Sequence, residues 1–117
     1  MKNQLLIKRV YDSVAKTDGK RILVDRVWPR GLTKEKAKID IWLKDIAPST
    51  SLRKWYAHDV SKWDAFKRKY IEELINNQDA INDLKKILSE GRCTLVFGSQ
   101  DEEHNQAVVL EAFLTSS

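Results

Sequence analysis

A single cysteine, two prolines, one methionine and four glycines in 117 residues exclude a good deal. With Cys93 alone, an internal disulfide and a thiolate metal cluster within one chain are both impossible. Its setting, "GRCTLVFGS", calls for a buried strand and therefore an inert core thiol. The four glycines are too dispersed to form a phosphate-binding loop, a dinucleotide fingerprint or a nucleophile elbow. Labels such as ATPase, kinase, Rossmann oxidoreductase and serine hydrolase are thereby disfavoured. No apolar run approaches the ~20 residues of a membrane span, and the opening "MKNQLLIKRV" has no signal-peptide apolar region, so a cytoplasmic location is expected. Internal repeats, low-complexity tracts and domain linkers are missing as well, which leaves one domain over residues 1–117.

Apolar residues make up 42% of the chain and charged residues 32%, a balance suited to a globular protein. The net charge of +4 hides an asymmetry. Residues 1–70 hold 18 Lys and Arg against 8 Asp and Glu, while residues 71–117 hold 3 against 9. Such a split marks either a side that faces phosphate or nucleic acid, or two halves that neutralise each other on packing.

The runs "LLIKRVY" (5–11) and "KRILVDRV" (20–27) read as strands separated by an Asp-Gly turn signal. Adjacent Leu23 and Val24 suggest burial on both faces, as in a central α/β strand. "TKEKAKI" predicts a short helix capped by Thr33, and the alternation in "IDIWLKDIAPS" (39–49) predicts a third strand that Pro48 stops. Ser49 or Thr50 then caps a helix through "SLRKWYAH". The clearest helix spans 61–77, with a capping pair at Ser61 and Asp64 and a stripe of Trp63, Phe66, Tyr70 and Leu74. In the next one Asp79 caps, Ile81, Leu84, Ile87 and Leu88 form the stripe, and Gly91 ends it. A buried strand over 92–98 and a final helix in "NQAVVLEAFLT" follow. Strands separated by helices imply a single three-layer α/β domain with a small, mainly parallel sheet flanked by helices.

In such folds ligands bind at the carboxyl ends of the strands. Two chain segments there carry chemistry. In "ILVDRVWPRG", Pro29 and Gly31 end the strand, and alternation places Arg26 and Trp28 on one face with Asp25 on the other. Arg26 and Arg30 offer forked donors to phosphate or carboxylate and Trp28 offers a stacking surface; alternatively Arg26 pairs inside the fold and Trp28 packs. In "FGSQDEEHNQAVVL", Asp101, Glu102 and Glu103 complement a helix dipole and repel any anion there, while His104 and Asn105 occupy its first turn. His104 is a candidate general base and His58 a ligand-binding or helix-terminal residue. The set His58, Asp59, Asp101 and His104 lacks the i, i+4 spacing of a helical zinc motif, so no metal site is assigned.

Taken together, "RVYD", "DGKRILVDRVWPRG", "WLKDIAPS", "LRKWYAHD", "FKRKYIEEL" and "TLVFGSQDEEHNQAVVL" resemble the YeaO-like family of bacterial proteins, a domain-of-unknown-function family. The likeness runs through nearly the whole chain. It implies a small cytoplasmic α/β domain without specifying a reaction or a cofactor. Its signature positions correspond to Arg9, Tyr11, Asp12, Asp25, Arg26, Trp28, Pro29, Arg30 and Gly31, and later to Trp55, His58, Asp59, Asp101, His104 and Asn105. Where members often carry a second histidine this chain has Gln106, so any relay through that histidine would be lacking here.

Two functional expectations follow. In the first, the chain is an enzyme or binding protein for a phosphorylated or nucleotide-like small molecule. Asp25, Asp101 and His104 would serve as acid–base groups, and Arg26, Trp28, Arg30, His58 and Asn105 would hold the ligand. In the second, it is a non-catalytic module that binds nucleic acid or a partner protein through the basic first 70 residues. Lysines 34, 36, 38, 62, 67 and 69, with Trp42, Trp55 and Trp63, would supply the surface. Scattered acidic residues and the lack of any helix-turn-helix, zinc-finger or RNP pattern count against the second. Neither reading fixes an oligomeric state.

Overall fold

A computed structural model describes residues 5–115; residues 1–4, part of the opening stretch read for a leader, lie outside it. The chain forms one α/β domain whose four strands, β1 (Leu5–Arg9), β2 (Lys20–Leu23), β3 (Ile41–Trp42) and β4 (Cys93–Phe97), are all parallel in the order β1-β4-β2-β3. The last strand in sequence is thus a central one. All five of its residues are buried, as a strand covered on both faces requires. Its register, Ile7 against Leu95 and Leu95 against Ile22, sets the large apolar side chains side by side.

The five helices are α1 (Lys34–Ala37), α2 (Thr50–Tyr56), α3 (Trp63–Ile75), α4 (Gln78–Ser89) and α5 (Gln106–Thr115). On one face, Ile22, Val24, Cys93, Leu95 and Phe97 meet Leu52 and Tyr56 of α2, Phe66, Tyr70 and Leu74 of α3, Ile81 and Leu84 of α4, and Leu110 of α5. Each fully buried large side chain there contributes about 1.5–3 kcal/mol. The opposite face is covered by α1 and its flanking loops, where Val96, Val10 and Ala37 pack with Trp28, Leu32 and Ile39. Buried charge on that side is paired: Arg21 reaches Asp18 at 2.7 Å and donates twice to the Ala37 carbonyl, while Lys8 holds Asp18 at 3.1 Å. Cys93 is buried and its thiol is pushed up in pKa by that burial, as expected of an inert core thiol.

The structure confirms the Thr33 and Ser49 caps, whose hydroxyls accept from the Lys36 and Leu52 N–H groups. Elsewhere it shifts boundaries. The strand expected over 39–49 reduces to Ile41–Trp42, because Ile39 packs on the α1 side and Leu43 in the main core, so the alternation does not describe one face. A 3-10 turn over Lys44–Ile46 then drives Ile46 into the core. The pair Ser61 and Asp64 does not cap α3. Asp59 lies upstream, accepting from the Ser61 N–H and hydroxyl at 3.0 and 2.6 Å, and a 3-10 turn runs straight into the helix. Asp79 sits inside the first turn of α4, with Asn77 as the boundary residue, and acts on the dipole instead of capping. Among the described residues no helix is long and apolar enough to cross a membrane.

Candidate functional site

Because all strands are parallel, their carboxyl ends gather at one edge of the sheet. The chain leaving β2 there is the segment Val24–Gly31. The strand ends at Leu23, two residues before Asp25, so alternation does not govern where Asp25, Arg26 and Trp28 point. Backbone and aromatic contacts decide instead. Arg26 donates to the carbonyls of Pro48 and Ala47 at 2.9 and 3.1 Å, tying the loop to the start of α2. Trp28 donates through Nε1 to the Leu32 carbonyl at 2.7 Å and meets Trp42 edge-on at 5.3 Å. The Arg30 carbonyl accepts from the Tyr11 hydroxyl at 2.8 Å, while the Arg30 side chain is exposed.

Asp25 links three elements. Its Oδ2 accepts from the Gly98 N–H at 2.8 Å beyond β4, and its Oδ1 accepts from the Gln106 side-chain amide at the start of α5. A Cβ at 98 would lie 2.8 Å from Asp25 Oδ2, so the glycine there leaves room for the carboxylate to reach the Gly98 N–H. Burial raises the Asp25 pKa to about 6, against the opposing pull of the Gly98 N–H, the Gln106 amide and the Arg53 guanidinium.

The loop after β4 is built by Asp101, whose Oδ1 accepts from the N–H groups of Glu103 and His104 at 2.9 and 3.0 Å. The Glu103 N–H foremost, with the His104 ring and N–H, holds the Asp101 carboxyl below the usual range against the opposing cost of burial. The Asp101 carboxylate also engages His104 Nδ1 at 2.9 Å, which leaves Nε2 as the nitrogen open to a ligand. The His104 ring stands edge-on to Trp63 at 5.2 Å. His104 and Asn105 precede α5 and do not form its first turn: Asn105 Oδ1 accepts from the Ala107 and Val108 N–H groups, the geometry of a helix cap. Asn105 is buried, and its Nδ2 donates to the Asp101 carbonyl at 2.8 Å.

From the third side come α2 and its end. Tyr56 is buried and donates to the His104 carbonyl at 3.2 Å, joining α2 to the β4 loop. Ala57 and His58 then both adopt the left-handed region, at φ 47° and 59°. For residues with a Cβ this conformation costs about 1–3 kcal/mol each, and strain of this kind concentrates at functional sites.

These segments enclose one pocket of about 360 Å³. Asp25, Arg26, Trp28, Arg30, His58, His104 and Asn105 all line it, so the two strand-end loops share a cavity; Asp101 stands behind His104 and does not line it. Sequence reasoning missed Arg53, Tyr56 and Phe66, which line it too, and noted Gln106, another lining residue, only as a departure from similar proteins. Arg53 and Tyr56 lie three apart on one helix, a spacing that the run "LRKWYAH" already displays. Gln106 drew notice only as the position of a histidine in similar proteins; its bond to Asp25 arises where α5 begins beside that carboxylate. Among the described residues Arg30 and Arg53 have no ion-pair partner, and no three His, Cys, Asp or Glu side chains gather within reach of one metal ion. Of the tryptophans expected on a basic surface, Trp63 packs on the core beside Phe66, Trp42 packs against Trp28, and Trp55 is exposed with Lys62 and Lys69 near its ring at 5.0 and 5.1 Å.

A family model described as the inactive DUF488-N3 subclade matches residues 4–117. The uncharacterized protein YeaO of Escherichia coli K12 is 39% identical over 109 residues, covering 93% of this chain and 95% of the relative. The uncharacterized protein Rv3073c of Mycobacterium tuberculosis H37Rv is 38% identical over 108 residues, covering 92% of this chain and 91% of the relative. No solved structure matches the chain.

Proposed function

The chain belongs to the inactive DUF488-N3 subclade, and from that premise we propose that it is a binding protein that holds a small phosphorylated molecule without turning it over. The observation that carries this reading is the charge balance of the pocket. Three guanidinium groups, Arg26, Arg30 and Arg53, line it against one carboxylate, Asp25. Arg26 is partly committed to two carbonyls, which leaves Arg30 and Arg53 as the groups able to give forked hydrogen bonds to a phosphate. His58 and His104 add donors when protonated. Apolar area from Trp28, Tyr56 and Phe66 would cover the uncharged part of the ligand. The family description supports binding without turnover, so Asp25 and His104 are read as ligand-positioning groups, with Asp101 orienting the His104 ring, rather than as an acid–base set.

The test is calorimetric titration of the protein with ribose 5-phosphate, with ribose as the uncharged control. Ribose 5-phosphate binds and ribose does not, and Arg53→Ala together with Arg30→Ala removes the binding. The reading is overturned if ribose 5-phosphate gives no heat, or if the double variant binds it as well as the parent does.

A further inference from the structure

The polar groups at the floor of the pocket specify more than an anion. Gln106 Nε2 is committed to Asp25 Oδ1 and lies 3.5 Å from the Val24 carbonyl, while Asp25 Oδ2 is met by the Gly98 N–H. Gln106 Oε1 receives no hydrogen bond among the described residues, and each Asp25 oxygen has accepting capacity left after its single protein partner. The floor is therefore an array of acceptors whose donors have been used within the fold. The rim has the opposite character: Arg30 and Arg53 lack carboxylate partners among the described residues.

A ligand that satisfies both ends carries adjacent N–H donors at one end and a phosphate at the other. An amine cation suits the floor alone, but the arginines around the same pocket would oppose its entry. A neutral donor edge has no such conflict. Buried aromatic rings of Tyr56 and Phe66 supply a wall against which a flat ring can lie, and about 360 Å³ is the scale of a nucleotide-sized ligand. Resting on the reading of the pocket as a phosphate-binding site, we propose that its ligand is a nucleotide with a guanine-type base, whose adjacent ring N–H and exocyclic amino group donate to Asp25 and Gln106 while its phosphate meets Arg30 and Arg53.

Calorimetry with guanosine monophosphate, inosine monophosphate, adenosine monophosphate and ribose 5-phosphate tests this. The guanine nucleotide binds roughly tenfold or more tightly than the inosine nucleotide, which lacks the exocyclic amine, and than the adenine nucleotide, which turns a ring acceptor toward the acceptor floor. Asp25→Asn abolishes that preference, and an unchanged circular dichroism spectrum and urea slope report that the variant is folded. Equal affinity for the three nucleotides and ribose 5-phosphate overturns the base assignment while leaving the phosphate site standing. Absence of binding by every phosphate-bearing probe overturns both.

Discussion

Asp25 should give this protein an unusual dependence of stability on pH. In the unfolded chain its carboxyl titrates near 3.8, and in the folded protein near 6, chiefly because ionising it means placing a charge in a largely desolvated site. Between those values the folded state binds more protons than the unfolded state, so this group's contribution to stability falls as pH rises. The contribution is fully present below 3.8 and lost above about 6. At about 1.36 kcal/mol per pH unit, the interval from 3.8 to about 6 amounts to about 3 kcal/mol. Asp18, Asp59 and Asp101 shift the other way, each held below its ordinary value, and their contributions are lost as pH falls. The total stability curve mixes both signs, so Asp25 is isolated by comparison with Asp25→Asn, a near-isosteric change that cannot ionise. Urea unfolding of the two proteins between pH 3.5 and pH 7.5 should show the variant gaining about 3 kcal/mol relative to the parent across that range. The amide change also alters the bonds to Gly98 and Gln106, but that offset is the same at every pH. Parallel curves for the two proteins would refute the reasoning, because they would mean that Asp25 ionises as easily in the fold as in water.

Two further substitutions probe backbone constraints. Gly19→Ala combines a φ of 66° with a new Cβ that runs into the Arg92 carbonyl, a backbone atom that cannot step aside. The expected loss is about 3 kcal/mol or more, seen as a lowered urea midpoint with an unchanged slope. His58→Gly relieves a left-handed φ of 59° and should raise stability by about 1 kcal/mol while weakening binding of ribose 5-phosphate. A destabilised His58→Gly protein, or one whose binding is intact, would mean that the imidazole anchors the turn and serves no ligand.

Local patterns in the sequence were sufficient wherever one element buries one stripe or one run. The α3 stripe of Phe66, Tyr70 and Leu74, the buried β4 and the Thr33 and Ser49 caps all follow from spacing and residue type within a few positions. The two charged strand ends were legible for the same reason: a core strand that stops in Asp-Arg or in Gly-Ser places polar groups at the sheet edge. Patterns failed where the chain changes face. Ile39 and Leu43 are four residues apart yet belong to opposite sides of the sheet, and Asp25 lies beyond the last paired residue of its strand.

By itself the sequence determined the fold class, the family and which two segments carry the chemistry, since these depend on residue types close together in the chain. Only the tertiary structure decided that the segments meet. The order β1-β4-β2-β3 inserts the last strand between the first two, which brings Gly98 and Gln106 against Asp25 across more than 70 residues of chain. Arg53, Tyr56 and His58 come to the same pocket because α2 packs across those strand ends. No local preference encodes such an encounter: it depends on strand order and on helix packing, and these are settled by burying the whole apolar surface at once.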